Sequence, residues 1–203
     1  MNTSHAFVST TDDYAHALTA GDYAHATTTG EYARATTTGD YSRASTAEYY
    51  AHATTAGNFS NAFTAGDFSN AVTAGDYAPA TTTGDDAHAT TAGDYAHATT
   101  TGAYAHAATA GRLTYATTTG IFAHATATGD HARASVAGEN AIAAAFGANS
   151  RARAADGGFI VLAQYSPDGD TVVAVKTAQV GKDGIKPDTW YRLDATGEFV
   201  EAK

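Results

Sequence analysis

The sequence predicts an all-β protein: a parallel β-solenoid of nonapeptide repeats, about 18 residues per coil, with a small β-rich C-terminal cap. Three observations carry that prediction. Glycine recurs at 21, 30 and 39 and then at every ninth position from 57 to 147, and Glu48 holds the one vacant place in the series. With that glycine as position 1 of a unit such as GDYAHATTT, position 6 is alanine in all sixteen units of residues 12–155. From residue 75 the threonine triplets alternate, TTT at 81, 99 and 117 against TTA at 90 and ATA at 108, as a repeat of two units per coil would produce.

Each unit supplies one strand and one corner. Glycine every nine residues and runs of β-branched threonine both oppose a helix. Side chains alternate along a strand, so positions 4, 6 and 8 share one face and positions 3, 5 and 7 the other. Position 4 is always Ala, Ser or Thr, and position 8 is Thr in twelve successive units from Thr19 to Thr118. The small, invariant set is therefore the packed face. Position 5 accepts His25, Arg34, Asn61, Pro79 and Tyr115, which marks it as outward. Gly-Asp after each threonine run is a turn signal, with glycine expected to supply the corner's backbone angles and the acids to be solvated. Coils about 4.8 Å apart would make eight of them a rod on the order of 35–40 Å long.

The ends differ from the array. Residues 1–11 form a degenerate N-terminal edge, 12–156 the solenoid and 157–203 a β-rich capping domain. In the last, FIVLAQY (159–165), TVVAVKTAQV (171–180), WYRL (190–193) and GEFVEA (197–202) read as strands separated by SPDGD, GKDG and KPD turns. An open solenoid end is a strand edge, so a cap has a purpose and the polar N-terminal end is the less protected one.

Composition narrows function. There is no cysteine, hence no disulfide framework, thiolate metal site or cysteine nucleophile. The N-terminus has neither the basic nor the apolar region of a secretory signal, and no apolar run approaches the roughly 20 residues of a membrane span, so a cytoplasmic location is expected. A net charge of −10 argues against direct nucleic-acid or anionic-membrane binding. No phosphate loop, nucleophile elbow or helical zinc motif is present. The sequence therefore predicts no enzyme, no catalytic residues, no cofactor and no metal centre.

The G-D-[YF]-[AS]-x-A-T-T-[TA] units, followed by GGFIVLAQY and the VVAVKTAQVGKDGIKPDTWYRL block, resemble phage and bacterial proteins with tandem GDxSAATxTG-type nonapeptides and a GxWIVLA-type C-terminal domain. The resemblance implies a phage or prophage origin, with a host-cell cytoplasmic or virion location, and transfers no catalytic residue. The chain departs from that pattern by frequent His at position 5 and Thr at position 8. ENAIAAAFGANSRARA (139–154) also resembles the head repeats of trimeric autotransporter adhesins, a likeness that reads as convergence.

Three sets of residues are candidate surfaces. Position 3 is Tyr or Phe in eleven units, among them Tyr23, Tyr41, Tyr77, Tyr95, Tyr104 and Phe122, which predicts aromatic ladders along the rod that both stabilise it and offer an interface. Asp86, in the middle of the row, and His131, near its end, would be gaps in that contact. With 18 residues per coil, His88, His106 and His124 would stack on successive rungs. Thr81/Thr83, Thr99/Thr101 and Thr117/Thr119 would form a T-x-T rank like the ice-binding faces of some solenoids. The expected function is a non-enzymatic structural or binding rod that engages a protein partner or a second copy through its aromatic and His ladders, and in a phage-encoded protein this would serve to counter a host system. Rival readings are an acidic DNA mimic that inhibits a nucleic-acid-binding enzyme, with residues 1–156 carrying 14 acids and 6 bases, and an ice-binding protein.

Overall fold

The computed structural model describes residues 5–202; residues 1–4 of the N-terminal edge lie outside the described residues. The protein is all-β, a parallel solenoid of about nine turns, and the described residues contain no helix. Successive strands alternate between two sheets, one of eleven strands and one of ten. Within each sheet the partner of a residue is the one 18 positions on: His88 pairs with His106 and Ala98 with Ala116. The first strand, β1 (Phe7–Thr10), pairs in the same register with His25–Thr28, so the ladder begins ahead of the expected boundary at residue 12. The strand at the head of the other sheet is β2 (His16–Ala20).

The corner is built differently from the expectation. Repeat strands start at position 5, or at position 6 in Ala80–Thr82 where Pro79 precedes, and position 3 is not part of a strand face. It sits in the turn with a left-handed backbone: φ is 61° at Tyr23, 56° at Tyr77 and 59° at Tyr95. The left-handed residue common to the turns is thus the one at position 3, aromatic in most units, while only some position 1 glycines, Gly21 and Gly39 among them, also have positive φ. That φ swings the position 3 amide onto the rod axis, where the Tyr23 N–H donates to the Asp40 carbonyl at 2.9 Å and the Tyr77 N–H to the Asp94 carbonyl at 2.9 Å. Coil-to-coil bonding therefore continues around the corners. Glycine at position 1 answers a different demand. A Cβ on Gly75, Gly93 or Gly102 would lie under 3.0 Å from the carbonyl of the glycine one coil earlier, so backbone packs on backbone there.

The acids of position 2 are not simply solvated. The Asp76 side chain accepts the Asp94 N–H at 2.9 Å, Asp85 accepts Ala103 N–H at 2.7 Å, and Asp94 accepts Arg112 N–H at 2.7 Å. Asn58 does the same for Asp76 N–H through its amide oxygen. Where position 2 is Asp or Asn its side-chain oxygen ties the unit to the next coil, and the charge is incidental to that bond; Tyr49, Ala103, Arg112, Ile121 and Ala148 fill the position without such an oxygen.

The interior is as thin as expected. Alanines at positions 4 and 6 are buried throughout, from Ala17 and Ala24 to Ala152, with threonine at position 8 beside them. Where position 4 carries a hydroxyl it finds a partner: Ser60 Oγ donates to Thr55 Oγ1 at 3.1 Å, and Thr114 Oγ1 to Thr109 Oγ1 at 2.9 Å. On the eleven-stranded sheet the hydroxyls of Thr28, Thr46, Thr64, Thr82, Thr100 and Thr118 are buried with no partner. Further along the same column the chain places Val136. Thr100→Val, equal in shape and free of the stranded hydroxyl, is expected to stabilise the protein by about 1 kcal/mol, read as a higher urea midpoint at unchanged slope.

Toward the C-terminus β18 (Phe159–Tyr165) still pairs parallel with β16 (Ile142–Ala145), one strand into the region expected to be cap, though the step is now 17, with Ile142 opposite Phe159. Beyond it the pairing turns antiparallel. β19 (Val172–Gln179) runs back along β18 with an irregularity at Gln164/Tyr165, and β20 (Tyr191–Leu193) joins β17 (Arg151–Ala154) and β21 (Phe199–Glu201). Larger apolar groups fill this end, with Ile160, Leu162 and Tyr191 buried. Trp190 lies on the outer face between Arg153 at 4.8 Å and Arg133 at 5.8 Å, which fastens the segment to the last coils.

Candidate functional site

The position 3 aromatics form two columns, because successive units turn at opposite edges of the rod. One runs Tyr14–Tyr32–Tyr50–Phe68, with centroids 4.9–5.0 Å apart and planes within 10°. The other runs Tyr23–Tyr41–Phe59–Tyr77–Tyr95, at 4.8–5.1 Å. The expected single row with gaps at Asp86 and His131 is thereby corrected. Asp86 interrupts the first column, which resumes as Tyr104–Phe122 at 5.3 Å, whereas the second stops at Leu113, one coil before His131. Tyr95 and Tyr104 are consequently on opposite edges. The rings cover one another's faces and expose edges and hydroxyls, and Tyr77, Tyr95 and Tyr104 remain 42–52% exposed. Partial desolvation, then the neighbouring Tyr14 and Tyr50, push the Tyr32 phenol above its ordinary value.

His88, His106 and His124 stack as expected, with centroids 4.8 and 4.9 Å apart and planes within 4°. Imidazole lone pairs lie in the ring plane, so face-to-face rings do not aim them at a shared ion. Among the described residues no group of three or more His, Cys, Asp or Glu is placed to hold a metal. Desolvation, then His88 and His124, hold the His106 pKa below its usual value, against an opposing pull from Asp86. Desolvation likewise lowers His97, and desolvation with Arg34 lowers His52. Unfolded histidines, near 6.5, therefore bind protons that the folded ones resist. Stability from these groups is complete above pH 6.5 and declines as the pH falls through that value toward the lower folded pKa values. The thermal midpoint is expected to drop between pH 7.5 and 5.5, and His106→Asn, an amide already used in this column at Asn70, should flatten part of that slope.

Thr81, Thr99 and Thr117 occupy successive rungs of one outer face. Thr83, Thr101 and Thr119 sit just beyond the strand ends, held by N–H bonds of 3.1–3.2 Å to the preceding coil. The structure thus brings all six into one rank, three rungs long, bounded by Phe63 and Ser135. Position 2 aspartates such as Asp67 and Asp76 lie along the two edges with one oxygen already committed to the next coil's amide.

Concave places lie beside the first column and at the cap. A groove of ≈ 490 Å³ follows the first three rungs between Tyr14, Tyr32 and Tyr50 on one side and His16, Arg34 and His52 on the other. A smaller cleft of ≈ 230 Å³ lies at the cap, lined in part by Asn149, Gln164 and Arg192. Neither brings together a nucleophile, a base and an orienting group. Sequence reasoning missed the groove, which exists because a left-handed position 3 lays its ring beside position 5 of its own unit.

The fold and these columns define a β-solenoid repeat protein of nonapeptide units. No family model, curated protein or solved structure matches the chain.

Proposed function

We propose that the chain is a non-enzymatic binding rod whose aromatic edges dock a protein partner. One observation carries the reading: two columns of self-stacked Tyr and Phe run along opposite edges of a scaffold whose repeat interior is mostly alanine and threonine. Stacking pre-orders the rings, so a partner that covers their edges and hydroxyls freezes little further side-chain motion. Tyrosine suits such a surface because it buries a large ring while its hydroxyl keeps a hydrogen bond. The expected −10 charge balance favours a partner with a basic face.

The test compares the two edges. Purified protein is immobilised beside two folded double variants, Tyr77→Ser/Tyr95→Ser on one edge and Tyr50→Ser/Tyr104→Ser on the other. A partner retained by the parent is identified, purified and titrated against all three. A loss of at least tenfold in affinity for one edge variant supports the reading. Equal binding to all three, or no partner that the parent retains better than the variants, defeats it and leaves the columns as scaffold stabilisers.

A further inference from the structure

We infer that the N-terminal coil is a self-association face at which two copies meet end to end, N-terminus to N-terminus, and continue both sheets across the junction. This does not depend on the docking role of the aromatic edges.

The three most exposed large apolar side chains of the described residues all fall in the first coil: Phe7 at 69%, Tyr14 at 68% and Leu18 at 68%. Two of them depart from the repeat. Phe7 stands in register with His25, at the position that elsewhere in that sheet carries Arg43, Asn61 or His97. Leu18 stands in register with Thr36, in a column otherwise made of Thr, Ala and Val. The third marks an unfinished stack. Tyr32, between two rings, is 42% exposed, and Tyr14 differs because among the described residues only Tyr32 stacks on it.

The backbone points the same way. Among the described residues β1 and β2 each terminate a sheet, so two rows of ladder groups end together at one end of the rod. An open edge of this kind recruits another strand unless it is blunted, and neither β1 nor β2 contains Lys or Pro. A single peptide strand would satisfy one row only. A partner must offer two short strand edges, running in opposite directions, one coil thickness apart. The N-terminal coil of a second copy has that shape. The other end of the rod does not: its edges are the eight-residue β19, irregular opposite Gln164/Tyr165, and the three-residue β21. Head-to-tail stacking is therefore mismatched, and a head-to-head contact uses up both open faces at once. It closes as a two-fold dimer and does not grow into a fibre. Any two-fold axis across the rod makes the new strand pairs antiparallel.

The footprint is small. Strands of about five residues at ~3.3 Å each give a face of roughly 400–500 Å² per copy, at the low end of specific interfaces. Dissociation is accordingly expected in the micromolar range.

Analytical ultracentrifugation from 5 to 300 µM should show a species of 20.7 kDa passing to twice that mass, and nothing larger. Phe7→Lys/Leu18→Lys places a charge on each edge strand and should remain monomeric throughout, with unchanged circular dichroism. The tyrosine edge variants above should dimerise like the parent, which separates this face from partner docking. The chain has no cysteine, so single reporters give the orientation. A spin label on Thr11→Cys should show strong dipolar coupling between copies, and one on Val173→Cys at the far end should show none within about 60 Å. A parent that is monomeric at 300 µM overturns the inference. So does a dimer that survives the lysine pair, or one whose close labels are those at Val173.

Discussion

Gly93→Ala is expected to cost the fold on the order of 3 kcal/mol, more than any exposed substitution along the rod. Gly93 is not in a left-handed conformation, so backbone preference is not the reason. The new methyl would lie under 3.0 Å from both the carbonyl oxygen and the carbonyl carbon of Gly75, atoms of a neighbouring main chain with no rotamer to escape into. The Gly93 N–H is also bonded to the Ala110 carbonyl at 3.1 Å on the other side, so the corner is held from both directions. To admit one carbon, two coils must separate and their ladder bonds lengthen. Gly169→Ala is the contrast. There φ is +82° and no atom lies within 4 Å of the added carbon, so only the left-handed penalty of about 1 kcal/mol applies. Urea midpoints for the two variants should be far apart. Equal, small losses would mean that the corners are looser than this backbone contact requires.

The second large effect belongs to the interior. Ala98→Leu is expected to destabilise the protein by roughly 1–3 kcal/mol, while His97→Leu, one residue away, should be almost silent. Ala98 is fully buried, with Ala80 and Ala116 above and below it in its column. Three extra carbons have no cavity to enter, and the two sheets are tied together at every corner, so they cannot part locally. His97 points out and stacks on Tyr115 at 4.8 Å, a contact that leucine partly replaces. Equilibrium unfolding of both variants settles the inside–outside assignment: a silent Ala98→Leu with a costly His97→Leu would reverse it.

The inward set at positions 4, 6 and 8 was legible because sixteen units sample the same environment, and only a crowded one confines them to Ala, Ser and Thr with the single exception of Val136. The two-unit coil was legible from the alternating triplets, which fall on different sheets. The corner was not, because Gly-Asp was read through its usual turn chemistry, while the left-handed residue is the one after it. A signal was present. Position 3 holds Tyr, Phe, Asp, Leu, His and Asn but never Val, Ile or Thr, and β-branched residues are the ones a positive φ excludes. The acceptor role of position 2 had a similar trace in Asn58, which keeps the side-chain oxygen and drops the charge. The groove beside Arg34 had no trace, since it follows from where the corner lays a ring. The parallel pairing of β18 was hidden because the step shortens from 18 to 17 there, and a fixed period does not reveal its own interruption.

The alternation of units between two sheets also sets how such a chain can change length. Loss of a single nonapeptide between residues 84 and 92 would leave every unit intact in itself, yet move all downstream strands to the opposite face. His106 and His124 would leave the histidine column, and Tyr115 would enter it. The cap would arrive with β18 on the wrong sheet. Loss or gain of 18 residues would preserve every column and shift only the distance between the ends. Recombination in this gene is therefore expected to leave viable products in steps of one whole coil, so that rod length varies in increments of about 4.8 Å while the pattern on each face stays in phase.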